Sequence, residues 1–431
     1  MRIDLPEKVE YIIGVLQEAG YEAYAVGGCV RDRMLGREPQ DWDVTTSADP
    51  YEVKELFRRT VDTGIKHGTV TVLFGETGYE VTTYRLDGEY EDARHPKEVT
   101  FTKSLTEDLK RRDFTINAMA YNHKDGLVDL FDGAEDLKNR VIRCVGNPEE
   151  RFDEDALRIL RALRFSAQLG FRVDEATMEA IRKRSRHLNK ISAERIRDEL
   201  NKLLLSASPE RLITVRECGI TDVILPQVTE FLGCKHEAEV ILRGLTAYTD
   251  GGYGTHTALV LCWATLLNGA LMHSGVREGK DRKIAVKQIL QRLKFDNDTI
   301  GKASALAEYS EEPVSCDAYV IRKQMHRMGE DIFDLWRVFL SGKLDKNGNG
   351  VQAELMKQLT EQVDRIRSGP YCVSLKQLAI SGADLIARGK KQGVELGGIL
   401  EALLEQVLEH PEWNEKDTLL QMADMIDISA E

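Results

Sequence analysis

The chain has 431 residues, 42% hydrophobic and 30% charged, enough for roughly three domains of about 150 residues with full cores. A net charge of −13 excludes a protein that coats nucleic acid indiscriminately, although it leaves room for a local basic surface. Seven scattered cysteines without a C-x-x-C pair argue against a zinc site or disulfide framework, and no apolar run reads as a signal peptide or membrane span, so a cytoplasmic protein with no membrane partner is expected.

Periodicity predicts a helix from about Pro6 to Ala19, a strand at Glu22 to Val26, a helix through Val30 to Leu35 and a strand over Asp41 to Thr45. A helix near Tyr51 to Arg59 follows. Two β-rich runs, TVTVLF and YEVTTYR, are then expected to form a hairpin through Gly75, Glu76, Thr77 and Gly78. Beyond about Arg140 the pattern turns helical, starting with RFDEDALRILRALRF, and no further strand is expected. The fold class is therefore α+β: an N-terminal α/β head with a mixed or antiparallel sheet, followed by an elongated all-α remainder. Asp345, Asn347, Asn349 and Gly350 imitate the start of a calcium loop, but Met356 stands where the bidentate Glu belongs, so a polar turn is predicted.

The chemistry concentrates in the head. Gly27 and Gly28 end a strand and open a helix, where backbone N–H groups and missing side chains admit phosphate oxygens. Arg31 and Asp32 follow on the next turn. Asp41 and Asp43, two residues apart on an extended segment, share a face and suit a divalent cation. Glu80 in YEVTTYR supplies a candidate third carboxylate on a neighbouring strand. A triphosphate cradle beside a metal site points to nucleotidyl transfer, with two magnesium ions about 4 Å apart activating a 3′-hydroxyl and neutralising the leaving pyrophosphate. No covalent nucleophile is required.

Glu154, Asp155 and Arg158 in EDALR fall within one helical turn, which places Asp155 and Arg158 side by side at i, i+3. Arg161 and Arg164 extend that row, either to support the same edge or as solvated helix surface. Asp113 could N-cap a helix through FTINAMA. From Arg140 to Lys202 there are 15 Lys or Arg against 11 Asp or Glu, a basic excess centred on Arg182 to Lys190.

VGGCVRDRMLGREPQDWDVTT, GIKHGTVTV, YEVTTYR, RRDFTINAMAYN and EDALRILRALRF occur in this order, and together the chain resembles the bacterial class II CCA-adding tRNA nucleotidyltransferases of the polymerase β superfamily. The motifs cover Val26 to about Ser206, and AISGADLIARGKKQGVELGGIL extends a weaker likeness into the tail. The resemblance implies a catalytic head at 1–142, a helical neck with a base-selecting helix at 143–206, a helical body at 207–300 and a tRNA-binding tail at 301–431.

The resemblance further makes Asp41 and Asp43 the metal ligands, with Glu80 their acidic partner. It places Arg112, Asp113 and Asn117 at the nucleotide sugar, selecting ribose, and makes Asp155 and Arg158 a protein template for the base. A carboxylate accepts from the amino group of cytosine or adenine while a guanidinium donates to the adjacent ring acceptor, so CTP and ATP pass and UTP and GTP fail. Segment Asp87 to Lys97 matches a loop that the family uses in switching from C to A addition. The tRNA acceptor and T-arm would lie on the helical part, with Arg182 to Lys190, Arg282, Lys283, Lys287, Arg388, Lys390 and Lys391 as candidate phosphate contacts. An A-adding relative, a poly(A) polymerase and a non-catalytic RNA-binding relative remain as alternatives, and oligomeric state is open.

Overall fold

The computed structural model describes residues 2–87, 99–344 and 350–426. It separates into two compact units, Met1–Thr246 with Arg292–Lys294, and Ala247–Gln291 with Phe295–Glu431.

In the first unit α1 (Glu7–Glu18) buries Val9, Ile12, Ile13 and Leu16, one face at helical spacing. It leads into β1 (Ala23–Val26), α2 (Gly28–Met34), β2 (Asp43–Thr46) and α3 (Pro50–Leu56). α3 begins at a capping box: Asp49 accepts from the Glu52 N–H, Glu52 accepts from the Asp49 N–H, and Pro50 opens the first turn. Next come β3 (Thr60–Gly64), β4 (Thr69–Phe74), β5 (Thr77–Thr83), β6 (Arg85–Asp87) and β7 (Val99–Phe101). α4 (Leu105–Lys110), β8 (Met119–Asn122), β9 (Gly126–Asp129) and α5 (Gly133–Lys138) complete the head. The β4–β5 turn is tighter than expected, with only Gly75 and Glu76 between the strands and Thr77 and Gly78 inside the ladder.

Seven strands form one sheet in the order β3-β4-β5-β2-β1-β8-β9. Its pairs are antiparallel except β2–β5, which is parallel and aligns Asp43 with Glu80. That register turns two carboxylates 37 positions apart in sequence into neighbours on adjacent strands. Of the expected metal pair, Asp43 opens β2 while Asp41 precedes the strand. Both are exposed and Trp42 between them is buried, so the alternation holds across the strand's edge.

Helices follow, as expected, but not without a strand. β10 (Val141–Ile142) pairs in parallel with β11 (Arg172–Val173), enclosing α6 (Pro148–Glu154) and α7 (Leu157–Leu169). α8 (Glu175–Arg184) and α9 (Ala193–Leu204) come next, and α9 packs along α7.

The second unit is helical throughout its described residues, around a core that includes Trp263, Phe333, Trp336 and Phe339. Its helix Thr255–His273 is long and apolar enough to cross a membrane, which the sequence reading missed, yet 67% of its most apolar window is buried inside the protein. Segment 345–349 of the calcium-loop imitation and residues 88–97 of the expected switching loop lie outside the described residues.

Candidate active site

A cleft of about 760 Å³ opens where α2, β2, α7 and the RRDFTIN segment meet. Gly27, Gly28, Arg31, Asp32, Asp41 and Asp43 line one part of it. Arg112, Asp113, Asn117, Arg161 and Arg164 line another. Glu80, Glu154, Asp155 and Arg158 do not reach its wall.

The glycine turn is dictated by backbone geometry. Gly27 has φ +83° and ψ −130°, a combination closed to L side chains, and a Cβ there would come within 3.0 Å of Arg112 Nη1. Its N–H donates to Met119 O on the sheet, while its carbonyl accepts the first helical bond of α2 from Arg31 N. The chain can thus bring backbone rather than side chain against the cleft.

At the carboxylate end, the surrounding cleft desolvates the Asp43 carboxyl and raises its pKa although the residue stays exposed at the strand's edge, Glu80 raises it further, Arg112 opposes and Asp41 adds to the rise. The ligand atoms of Asp41, Asp43 and Glu80 do not gather within 4.8 Å of one another as a set of three. Like charges that perturb one another in this way, offered by oxygen donors alone, have the donor chemistry of a hard divalent cation. Cys29 also lines the cleft, but burial pushes its thiol up to about 11, so it stands as a neutral group rather than a nucleophile.

The residues expected at the sugar form a closed network. Asp113 is 8% exposed, and its Oδ1 accepts from Phe114 N at 2.8 Å and Asn117 Nδ2 at 3.1 Å. Its Oδ2 accepts from Arg161 Nε at 2.8 Å and Nη2 at 2.6 Å. Burial alone would raise the Asp113 pKa, but Arg161 and the Asn117 amide bring it down to about 2. Asp113 caps no helix; Thr115–Asn117 is a single 3₁₀ turn whose cap position is Phe114. Asn117 Oδ1 in turn accepts from Arg31 Nη1 at 2.7 Å, and the remaining edge of Arg31 meets Asp32 at 2.8 and 2.9 Å. Arg31 is therefore a buried brace behind the glycine turn, not a loose anion contact. Arg112 is tied to Asp108, a fully buried carboxylate whose pKa is lowered by Arg112 and Arg111 against the effect of burial.

EDALR departs most from expectation. The helix breaks at Asp155, which is extended with φ −142° and ψ 102°, so Asp155 and Arg158 do not share a helical turn. Asp155 instead accepts from Leu157 N at 3.0 Å at the start of α7 and pairs with Arg195 of α9 at 2.7 Å. Arg158 donates to Glu154 at 2.5 Å and to Arg111 O at 3.0 Å. Arg161 and Arg164 are not solvated helix surface: Arg164 lies 3.7 Å over the Phe165 ring and pairs with buried Glu199 of α9. Burial, with Arg161 and Arg31 nearby, lowers the Arg164 pKa to about 10 despite the opposing pull of Glu199. Arg195 and Glu199 escaped the sequence reading, although their i, i+4 spacing places both on one face of a helix.

Much of the expected RNA-contacting charge already has a partner within the protein, although Lys183, Lys283 and Arg388 stay exposed at the surface. Lys183 pairs with Glu149 and Glu179, Arg184 with Glu149 and Asp153, and His187 stands 3.2 Å from Asp153. Arg282 is 1% exposed and donates to the carbonyls of Val276, Arg277 and Ala307, a structural role. Lys283 pairs with Glu308, Arg388 with Asp424, and Lys390 donates to Ile426 O. Arg182, Arg186, Lys190, Lys287 and Lys391 remain exposed.

A mixed sheet that seats paired aspartates beside a glycine turn, with a third carboxylate in parallel register, defines the class as a nucleotidyltransferase. Residues 23–143 match the family model for the poly A polymerase head domain, 170–232 that for an RNA and SrmB-binding site of polymerase A, and 280–423 that for domain 2 of tRNA nucleotidyltransferases. More narrowly, the chain belongs to the CCA-adding enzyme family. It is 38% identical to the CCA-adding enzyme of Levilactobacillus brevis, over 96% of this chain and 98% of that one. The CCA-adding enzyme of Lactiplantibacillus plantarum is also 38% identical, over 96% and 95% respectively. The Bacillus stearothermophilus CCA-adding enzyme, solved in complex with CTP, superposes with a TM-score of 0.80 at 30% identity, covering 98% of this chain and 99% of that one. A CCA-adding enzyme solved with ATP shares the fold, with a TM-score of 0.64 at 22% identity, over 98% of this chain and 97% of that one.

Proposed function

We propose that this chain adds CCA to the 3′ end of tRNA without a nucleic-acid template, drawing on CTP and ATP and releasing pyrophosphate. The observation that carries this reading is kinship to CCA-adding enzymes along nearly the whole chain. The cleft supports it by joining the glycine turn to the carboxylate pair.

In this reading Asp41 and Asp43 hold divalent metal, with Glu80 beside Asp43 in register; magnesium is the proposed ion. Bound there, it would lower the pKa of the attacking 3′-hydroxyl and offset charge on the triphosphate. The protein's own part is positioning. The Gly27–Gly28 backbone accommodates phosphate oxygens, with Arg31 supplying positive charge from behind. Arg112, Asp113 and Asn117 select ribose. Asp113 already accepts four hydrogen bonds, so a 2′-hydroxyl engages it by replacing one of those donors.

Asp155 and Arg158 are the proposed base template, held apart from the cleft wall by Arg195 and Glu154 until a base competes for them. We assign the head to 1–142, the neck to 143–206, and tRNA acceptor and T-arm binding to the body (207–300) and tail (301–431). The cytoplasm, where these substrates meet, is the proposed location.

The test supplies magnesium and tRNAs lacking A, CA or CCA, with each nucleotide separately, to wild type and Asp43→Ala. Stepwise C, C and A addition by wild type alone is expected. Extension only of the substrate ending in CC makes the chain an A-adding enzyme, and no extension makes it a binding protein.

A further inference from the structure

Glu199 lies on α9, 5% exposed and outside the cleft wall, facing two guanidiniums of α7. Its carboxylate stands 2.7 Å from Arg164 Nε and 4.0 Å from Arg161 Nη1. The shorter approach is a charge contact without hydrogen-bond alignment. Arg161 turns its other edge to Asp113. Arg31, Arg161 and Arg164 crowd one ring, with guanidinium carbons 5.1, 5.4 and 3.7 Å from the Phe165 centroid. Three cations so close require anions among them. Asp32 answers Arg31, Asp113 answers Arg161, and Glu199 answers Arg164 while sharing Arg161.

We propose that Glu199 is a positioning residue for sugar selection: by sharing Arg161 with Asp113, it sets how firmly Arg161 occupies the Asp113 carboxylate, and so how readily a ribose 2′-hydroxyl engages that carboxylate. The proposal rests on the CCA-adding function stated above. Two anions flanking one cation divide its attraction. Neutralising Glu199 leaves Asp113 as the close anion of Arg161, and Arg161 closes onto it. A 2′-hydroxyl must then displace a donor held more tightly. Deoxyribose makes no such demand, so the ribonucleotide bears the loss.

The experiment compares kcat/KM for CTP and dCTP, and for CTP and UTP, on tRNA lacking CCA, using wild type, Glu199→Gln and Glu199→Asp. Ratios taken within one preparation do not depend on how much of it is folded. The CTP/dCTP ratio is expected to fall roughly tenfold in Glu199→Gln, the scale at which losing an outer partner is felt by the group it orients, and to recover to within about threefold of wild type in Glu199→Asp. The CTP/UTP ratio, which depends on Asp155 and Arg158, whose direct ion-pair partners are Arg195 and Glu154 rather than Glu199, is expected to stay within about threefold. If Glu199→Gln is insoluble, Glu199→Met with Arg164→Met removes the buried cation together with its counter-ion and is read against Arg164→Met alone. An unchanged CTP/dCTP ratio overturns the proposal, as does an equal fall in both ratios, which marks general loosening of the cleft. Failure of wild type to extend tRNA with any of the nucleotides supplied refutes the CCA-adding function instead.

Discussion

Gly27→Ala separates backbone strain from encroachment on the cleft. At φ +83° and ψ −130°, outside the left-handed helical region, an L residue pays about 1–3 kcal/mol in conformation alone. The new Cβ would also meet Arg112 Nη1 at 3.0 Å, and Arg112 has little freedom to retreat because Asp108 holds it at 3.3 Å. Displacing it adds about 1 kcal/mol, at the low end of overpacking costs. The expected destabilisation is about 2–4 kcal/mol, roughly 4–16 °C in Tm for a unit of this size.

Gly170 provides the control. It ends α7 with φ +71° and ψ 25°, and nothing lies within 4 Å of the point where an added methyl would stand, so Gly170→Ala incurs the strain alone, about 1 kcal/mol. Calorimetry on both variants, paired with CTP incorporation, should show Gly27→Ala less stable and at least roughly tenfold slower per folded molecule, and Gly170→Ala mildly destabilised with normal turnover. Equal Tm losses together with equal activity would refute the close-approach argument.

Asp43 holds its proton more tightly folded than unfolded, so it contributes stability at low pH that is lost as pH rises through its raised pKa, whereas cation binding needs the ionised form. Glu80→Gln removes the nearest acidic influence on Asp43, and metal titrations across pH should show the acid limb moving to lower pH with weaker maximal affinity; an unmoved limb would contradict the coupling. Asp113 has the opposite sign: its pKa of about 2 adds stability that is complete above the unfolded value near ~3.9 and is lost as pH falls through about 2. Asp113→Asn should cost roughly 3–5 kcal/mol at neutral pH by leaving Arg161 unbalanced, and should flatten acid unfolding between about pH 4 and 2, as measured by urea denaturation. Arg282→Met strands three carbonyls and should destabilise the second unit by roughly 2–4 kcal/mol while leaving tRNA Kd unchanged, whereas Lys287→Ala should weaken tRNA binding and reduce its salt dependence.

The head was readable because its signals are local. Alternation around Trp42 and glycines at a strand-to-helix junction announce themselves within a few residues. Even Glu80 could be anticipated, since a strand glutamate among β-branched residues is a ready neighbour for a two-aspartate edge. Strand order was not available, because the parallel β2–β5 register depends on packing across the whole sheet.

EDALR misled for a different reason. Each of its residues is compatible with a helix, but Asp155 can instead accept from Leu157 N where α7 begins and reach Arg195, an interaction 40 positions away that outweighs local propensity. The basic run shows the same limit: sequence alone could not reveal that Glu149 and Asp153, more than 30 positions earlier, are folded against Lys183 and Arg184 while Arg182, Arg186 and Lys190 stay exposed. A charge in sequence has a sign but no partner, and burial decides whether it faces solvent, RNA or another side chain. Around Phe165 three guanidiniums that would repel one another in isolation persist because Asp32, Asp113 and Glu199 are interleaved with them, so the balance of charge in this corner of the cleft is set by carboxylates drawn from three separate stretches of sequence.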